Sequence, residues 1–306
     1  MKSMIAIPTY NRSALIGRAI QSALAQTYEH TRVIVVDDGS TDDTHIAVKP
    51  YFDDPRFCYI RLAKNVGTAR AKNVAIAYAD CDAITFHDSD DIADPNKLLL
   101  QARCMAQPQL YADPCLNWAQ AGIVPQSHLE IGVVLTQHWL IGGDGSRRKI
   151  GRVASLVDDF FPNLQMNAGP WGDWILINSG LFRHTLFAEI GGFEHCVEED
   201  REIRNRLLMH GKVMWLIEEP LITKIECADS LTVAPITNYQ SDQRKADRDL
   251  VWARAAAWRS GQRPLAIGLD LEGVEISDIS RVELLRMSPK STAFSPHTTS
   301  HKGTSV

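Results

Sequence analysis

Four short apolar runs, Ser3 to Ile7, Val33 to Val36, Cys58 to Leu62 and Ala83 to Phe86, recur through the first hundred residues, with helix-patterned segments between them. A buried strand followed by a helix-length segment, repeated several times, restricts a chain to βαβ units and a mainly parallel sheet covered on both faces. Helices are predicted at Ala14 to Ala25, at Thr41 to Val48 behind a Ser40 cap, and at Gly67 to Ala79. A fourth is predicted at Pro95 to Ala106, with Asp94 as its cap and Pro95 at the first helical position. Functional groups of such sheets collect beyond the carboxyl ends of the strands. Three polar loops are therefore expected on one rim: Pro8-Thr9-Tyr10-Asn11-Arg12, Asp37-Asp38-Gly39-Ser40 and Asp88-Ser89-Asp90-Asp91.

The 306 residues, 45% hydrophobic and 23% charged, suffice for a large α/β domain with elaborations or for two smaller ones. A formal net charge of -5 supplies no basic field, which excludes nucleic acid as the expected partner. The sequence has no apolar run of membrane-spanning length and enters its first strand at once, without a signal-peptide layout, so a cytoplasmic location is expected. Six scattered cysteines without a C-x-x-C pair are expected to be reduced and structural. Neither G-x-G-x-x-G nor G-x-x-x-x-G-K-[ST] occurs, which disfavours a dinucleotide oxidoreductase or a P-loop NTPase.

The rim carries the chemistry. In the first loop a proline ends the strand, and Thr9, Tyr10 and Arg12 then offer a hydroxyl, an aromatic face and a guanidinium, a set suited to a base, a ribose and a phosphate; an ordinary strand-to-helix turn reads the same way. At Asp37-Asp38-Gly39, one acid can cap while the other accepts from a base N–H or a ribose hydroxyl. Asn65 to Asn73 opens a helix whose first N–H groups, with Arg70, form a candidate anion site. Three crowded carboxylates at Asp88 to Asp91 require a divalent metal, an arginine cluster or solvent among them. The D-x-D spacing puts Asp88 and Asp90 on one side of an extended backbone, able to share one hard cation. Further on, Glu198 to Asp200 open a helix, where acids suit the helix dipole or supply a general base for a hydroxyl.

In that order, Pro8-Thr9-Tyr10-Asn11, Val36-Asp37-Asp38-Gly39-Ser40, Asn65 to Asn73, Asp88-Ser89-Asp90-Asp91 and Glu199-Asp200 resemble the family 2 glycosyltransferases of the GT-A fold. The resemblance is close over residues 1 to 106 and moderate over 174 to 217. It implies an α/β GT-A fold with a Rossmann-like mixed sheet flanked by helices, and an inverting transfer from a nucleoside-diphosphate sugar, UDP-sugar first, to a glycan or lipid-linked acceptor. By the same resemblance Pro8, Thr9 and Tyr10 line the nucleoside pocket, Asp38 contacts the base, and Arg70 lies near the base or diphosphate. Asp88 meets the ribose or the metal, Asp90 ligates Mn2+ or Mg2+, and Asp200 is the catalytic base. Glu199 either holds an acceptor hydroxyl or caps its helix. The Gln-x-x-Arg-Trp signature of processive synthases is missing, so a non-processive enzyme is implied. Two rivals stay in view: an inactive sugar- or nucleotide-binding module, and a sugar-phosphate nucleotidyltransferase, for which Pro8 to Arg12 lacks the glycine- and lysine-rich loop.

The expected organisation is a nucleotide-sugar half over 1–106, an acceptor and catalytic-base half over 107–235, a helical extension over 236–287 and a disordered tail over 288–306. Between 111 and 170, loops and strands are expected to lie over the first domain, with a turn at Gly142 to Gly145 followed by Arg147-Arg148-Lys149. Trp171 and Trp174 are either an acceptor platform or core aromatics. The helix predicted from Tyr239 to Arg259 either packs with a solvated basic face or rests peripherally on an anionic membrane.

Overall fold

The computed structural model describes residues 1–106, 131–151, 176–210, 212–226, 237–238, 240–262 and 267–286. The four apolar runs are strands β1 (Ser3–Thr9), β2 (Thr31–Asp37), β3 (Phe57–Leu62) and β4 (Ala83–Phe86). Between them lie α1 (Ile16–Leu24), α2 (Thr44–Val48) and α3 (Thr68–Tyr78), and beyond β4 a two-residue strand β5 (Ile92–Ala93) precedes α4 (Lys97–Ala106). Next come β6 (Ile131–Ile141), β7 (Arg147–Ile150), β8 (Leu181–Arg183), α5 (Leu186–Ile190), α6 (Glu199–Met209), β9 (Val213–Ile225), α7 (Asp242–Arg259) and β10 (Ile276–Ile279).

Nine strands follow one another across the sheet in the order β10-β3-β2-β1-β4-β8-β6-β9-β5, and β7 pairs with β6. β1 is parallel to both β2 and β4, and β2 to β3, whereas β8 runs antiparallel to β4 and β6. The chain leaves β1 toward β2 and later returns to its other side as β4. Their carboxyl ends therefore flank a topological switch point, where ligand crevices of open α/β sheets form. Alternation along the strands splits the core in two. Met4, Ala6, Ile34 and Val36 pack on the face of α3, α5 and α6, and Ile5, Ile7, Val33 and Val35 pack on the face of α1 and α4.

Several local expectations are corrected. Ser40 does not cap α2: its Oγ accepts from the Asn11 N–H at 2.9 Å, and Asp42 Oδ1 takes the Thr44 N–H at 3.0 Å instead. α4 begins at Lys97, two residues after Pro95, because Asp94 Oδ1 accepts from the Asn96 N–H and forms a turn ahead of the helix. β6 does not lie over the first domain; it is an interior strand between β8 and β9. Arg147-Arg148-Lys149 lies in β7, paired with Trp139 to Ile141 through the expected turn at Gly142 to Gly145.

The region expected as a helical extension contains α7, but the segment after that helix rejoins the main body. β10 adds antiparallel to β3, Ile267 packs directly against Gly191, and Arg286 N–H donates to the Tyr78 carbonyl at 2.7 Å. Cys58, Cys81, Cys104 and Cys196 are free thiols. Among the described residues no helix is long and apolar enough to cross a membrane. Trp171, Trp174 and the tail 288–306 lie outside the described residues.

Candidate active site

β1 and β2 end in register, Thr9 opposite Asp37, and the Asp38 N–H continues the ladder onto the Thr9 carbonyl at 2.8 Å. β4 ends beside them, with the His87 N–H on the Ala6 carbonyl at 2.9 Å. The three polar loops thus leave adjacent strands on one rim. The first is shaped by Asn11, whose φ of 52° lies in the left-handed region that a short polar side chain tolerates. Asn11 Oδ1 accepts from the Thr41 N–H at 2.8 Å, and the Arg12 N–H donates to Thr44 Oγ1 at 2.9 Å, tying the β1 loop to the β2 loop. Tyr10 is exposed, Thr9 is buried, and Pro8 is partly buried. Arg12 lies close enough to Asp90 for its charge to act on that carboxyl.

Asp38 turns inward. It is 3% exposed, and its two oxygens accept from the N–H groups of Val66 at 2.7 Å and Gly67 at 2.9 Å. Burial, partly offset by those two donors, pushes its pKa up to about 6. The two N–H groups just ahead of α3 are therefore satisfied from within the chain, and this carboxylate is not presented to the rim, against its assignment to the base. Asp37 is likewise internal, accepting from Tyr59 Oη at 2.6 Å and the Ser40 N–H at 2.8 Å. Arg70 also departs from expectation. Its guanidinium reaches the C-terminal segment, at 3.0 Å from Asp270 and 3.1 Å from Glu272, rather than the rim.

The acid turn holds a cation that sequence reasoning missed. Asp88 to Asp91 close a turn through the Asp91 N–H on the Asp88 carbonyl, and Lys224 from β9 brings its ammonium to 3.4 Å from Asp88 Oδ2. Asp91, Asp88 and Asp90 together outweigh burial and raise the pKa of Lys224. Against the upward push of burial, Lys224 and Lys72 hold the Asp88 carboxyl below its ordinary range. Burial and the neighbouring Asp88 raise Asp90. Asp91 is 2% exposed, burial raises its pKa well above the ordinary range, and its Oδ1 has no partner among the described residues. Asp91 is thus a buried member of the cluster.

A second cluster forms where α6 begins. Lys72, on α3 and 1% exposed, donates to Asp200 Oδ1 at 2.9 Å, Glu199 Oε1 at 3.1 Å and Asn178 Oδ1 at 3.1 Å. Asn178 Nδ2 donates in turn to Asp200 Oδ2 at 2.9 Å. The Asp200 side chain keeps 38% exposure and Glu199 only 13%. Burial raises Glu199 to about 7, with Lys72 opposing and Asp200 reinforcing the rise. Asp88 also acts on Lys72, so one ammonium lies within the field of both acid clusters. Glu198, one residue earlier, is held by Arg201, Arg244 and Arg248 and belongs to the packing between α6 and α7.

A divalent metal is the group this donor set raises. Among the described residues no three or more His, Cys, Asp or Glu side chains converge as a metal cage. Mg2+ and Mn2+ bound with substrate phosphates need only one or two carboxylates, and Asp88 and Asp90, hard oxygen donors on a half-open turn, fit that arrangement. Lys224 already supplies part of the neutralising charge.

Residues 4–131 match the model of the family described as glycosyl transferase family 2. An uncharacterized glycosyltransferase of Rickettsia bellii is 41% identical over 106 residues, 35% of this chain and 15% of that protein's own length. Two solved structures are similar over most of the chain. One is residues 1–349 of TarS from S. aureus in complex with UDP-GlcNAc, at 19% identity and a TM-score of 0.54, covering 86% of this chain and 74% of that one. The other is the mannosyltransferase PcManGT from Pyrobaculum calidifontis in complex with GDP-Man and Mn2+, at 19% identity and a TM-score of 0.52, covering 86% and 66%. At such identities the likeness is one of fold, and the fold is the GT-A arrangement of a mixed sheet flanked by helices.

Proposed function

We propose, for a chain whose residues 4–131 match the model of glycosyl transferase family 2, an inverting, non-processive transfer of a sugar from a nucleoside-diphosphate sugar to a hydroxyl of a glycan or lipid-linked acceptor. One observation carries the reading. A half-exposed carboxylate, Asp200, held on both oxygens, stands at the start of α6 and is joined by the charge of Lys72 to the acid turn that closes β4. The reaction needs such a division of labour, with charge neutralised at the departing diphosphate and a base for the attacking hydroxyl on the other side of the sugar.

Asp200 takes the proton of the acceptor hydroxyl as its oxygen bonds the anomeric carbon, and the bond to the diphosphate breaks with its electron pair leaving on the nucleotide. Thr9, Tyr10 and Pro8 border the nucleoside, with Tyr10 offering an exposed ring for stacking. Arg12 and Lys224 put positive charge at the rim on which the diphosphate rests. A Mn2+ or Mg2+ held by Asp90 with Asp88 supplies further charge neutralisation for the leaving group when bound. Glu199 shares the ammonium of Lys72 and borders the acceptor side. A UDP-sugar is the first donor to test, by analogy with the TarS complex.

The test is a screen of UDP-sugars with Mn2+ for hydrolysis and transfer, with products read by mass spectrometry. Asp200→Asn should bind UDP as the parent chain does and transfer nothing; unchanged transfer would remove Asp200 as the base. Asp90→Ala should weaken Mn2+-dependent UDP binding in calorimetry, and equal UDP affinity of the parent with and without EDTA would count against the metal. A binding module without catalysis would bind UDP-sugar and return it intact under every condition.

A further inference from the structure

The Lys72 ammonium spends each of its three N–H donors on a different acceptor: Asp200 Oδ1, Glu199 Oε1 and Asn178 Oδ1. The Asn178 amide accepts from Lys72 and donates to the other Asp200 oxygen, so Lys72, Asp200 and Asn178 close a ring of hydrogen bonds. We propose that Lys72 and Asn178 are positioning residues for the reaction, a two-point clamp that fixes the plane of the Asp200 carboxylate toward the acceptor hydroxyl. This inference rests on the reading of Asp200 as the base.

The clamp is built from behind. The Phe193 ring centroid lies 4.7 Å from the Lys72 ammonium, within cation–π distance. Phe193 is itself locked by Asn73, which accepts its N–H at 2.7 Å and donates to its carbonyl at 2.8 Å. Neighbouring residues of α3 thus grip the base and the aromatic wall behind it. A carboxylate gripped at one oxygen can still rotate about its last side-chain bond. Gripped at both by donors that are bonded to each other, it cannot, and each oxygen keeps a lone pair for the acceptor. A purely structural ion pair would have no use for the second grip or for leaving Asp200 at 38% exposure.

Removing Lys72 alone strands two acids, so the informative variant is the charge-balanced double Lys72→Met/Glu199→Gln in the full chain. Hydrolysis or transfer of the responsive UDP-sugar gives kcat and KM, calorimetry with UDP and Mn2+ gives nucleotide affinity, and thermal melting reports folding. The clamp predicts a double variant that melts near the parent, binds UDP within about threefold, and loses kcat by about tenfold to a hundredfold with KM little changed. Asn178→Ala, with Lys72 in place, should show a smaller loss of the same kind. Lys72→Arg should restore part of kcat, since a guanidinium can still reach both acids. Parental kcat in the double variant, or in Asn178→Ala should the double not fold, overturns the clamp. Asp200→Asn run beside them separates the two ideas: if it turns over normally, the base assignment fails, whereas if it is inactive beside a fully active double, only the clamp does.

Discussion

Replacing Lys97 with methionine should stabilise the protein, by an amount that depends on pH. Lys97 is 1% exposed on α4, and Thr85 Oγ1, at 2.9 Å on β4, accepts its hydrogen bond. Burial pulls its pKa from 10.5 down to about 7. That drop corresponds to roughly 4–5 kcal/mol against the charged form relative to the unfolded chain. Local relaxation and the Thr85 hydroxyl, left without a partner in the variant, give back about 1–2 kcal/mol. A gain of roughly 2–4 kcal/mol remains at pH 7, or about 3–6 °C in melting temperature for a chain of 306 residues. The folded-state pKa is depressed for a base, so between 7 and 10.5 the unfolded chain holds a proton that the folded one has released. Stability of the parent therefore rises with pH across that window, by up to about 1.4 kcal/mol per pH unit, and the advantage of Lys97→Met is full below pH 7 and gone by about pH 9–10, beyond which the lost hydrogen bond makes the variant the weaker of the two. Urea unfolding of both proteins at pH 7, 8, 9 and 10 reads the difference directly. A variant less stable at pH 7, or a difference that does not shrink with rising pH, would show that the ammonium is better solvated in the fold than its burial implies.

Other outcomes follow from contacts of the same kind. Arg206 is buried, pairs with Glu202 and donates to the carbonyls of Ile190 and Gly192, so Arg206→Met strands a buried acid and should cost roughly 3–5 kcal/mol in urea unfolding. Gly39 has φ +70°, and a Cβ there would sit 2.5 Å from the Lys64 backbone; Gly39→Ala should cost roughly 1–3 kcal/mol and lower UDP affinity by shifting the β2 loop. Arg70→Ala should cost about 1 kcal/mol or less, its partner Glu272 being exposed, and leave UDP affinity unchanged in calorimetry; a tenfold loss would return Arg70 to the donor site. For Asp38, an acid raised to about 6, the folded chain binds the extra proton, so parental stability relative to Asp38→Asn should fall as pH rises from about 4 to 6 in parallel unfolding series.

The strand and helix pattern of the first hundred residues was legible because each unit carries its own signal. A run such as Val33 to Val36 is too short and too β-branched to be a helix, and it is followed by a helix-length segment. The site loops were legible as a group for the same reason, since the rim rule needs only strand ends. Roles within the loops were not. Nothing local separates Asp38, which turns in to take two N–H groups of the α3 entry, from an acid that faces solvent. Arg70 and Lys72 stand two residues apart on α3, and nothing local tells the one that reaches the base cluster from the one that binds Asp270 and Glu272. Asn178 gave no signal at all, being a single amide in an irregular stretch.

Sequence by itself determined the parallel α/β core, the rim on which the loops after β1, β2 and β4 emerge, and the carboxylates from which a metal site and a base are to be drawn. These follow from periodicity and strand ends, which are properties of neighbours along the chain. Only the tertiary structure decided which charges meet. It brought Lys72 to Asp200 and Lys224 to Asp88, and it returned Ile276–Ile279 to the sheet as β10. Such pairings are set by the packing of elements more than a hundred residues apart, and the energy of a buried charge depends on the partner and the solvent it is left with.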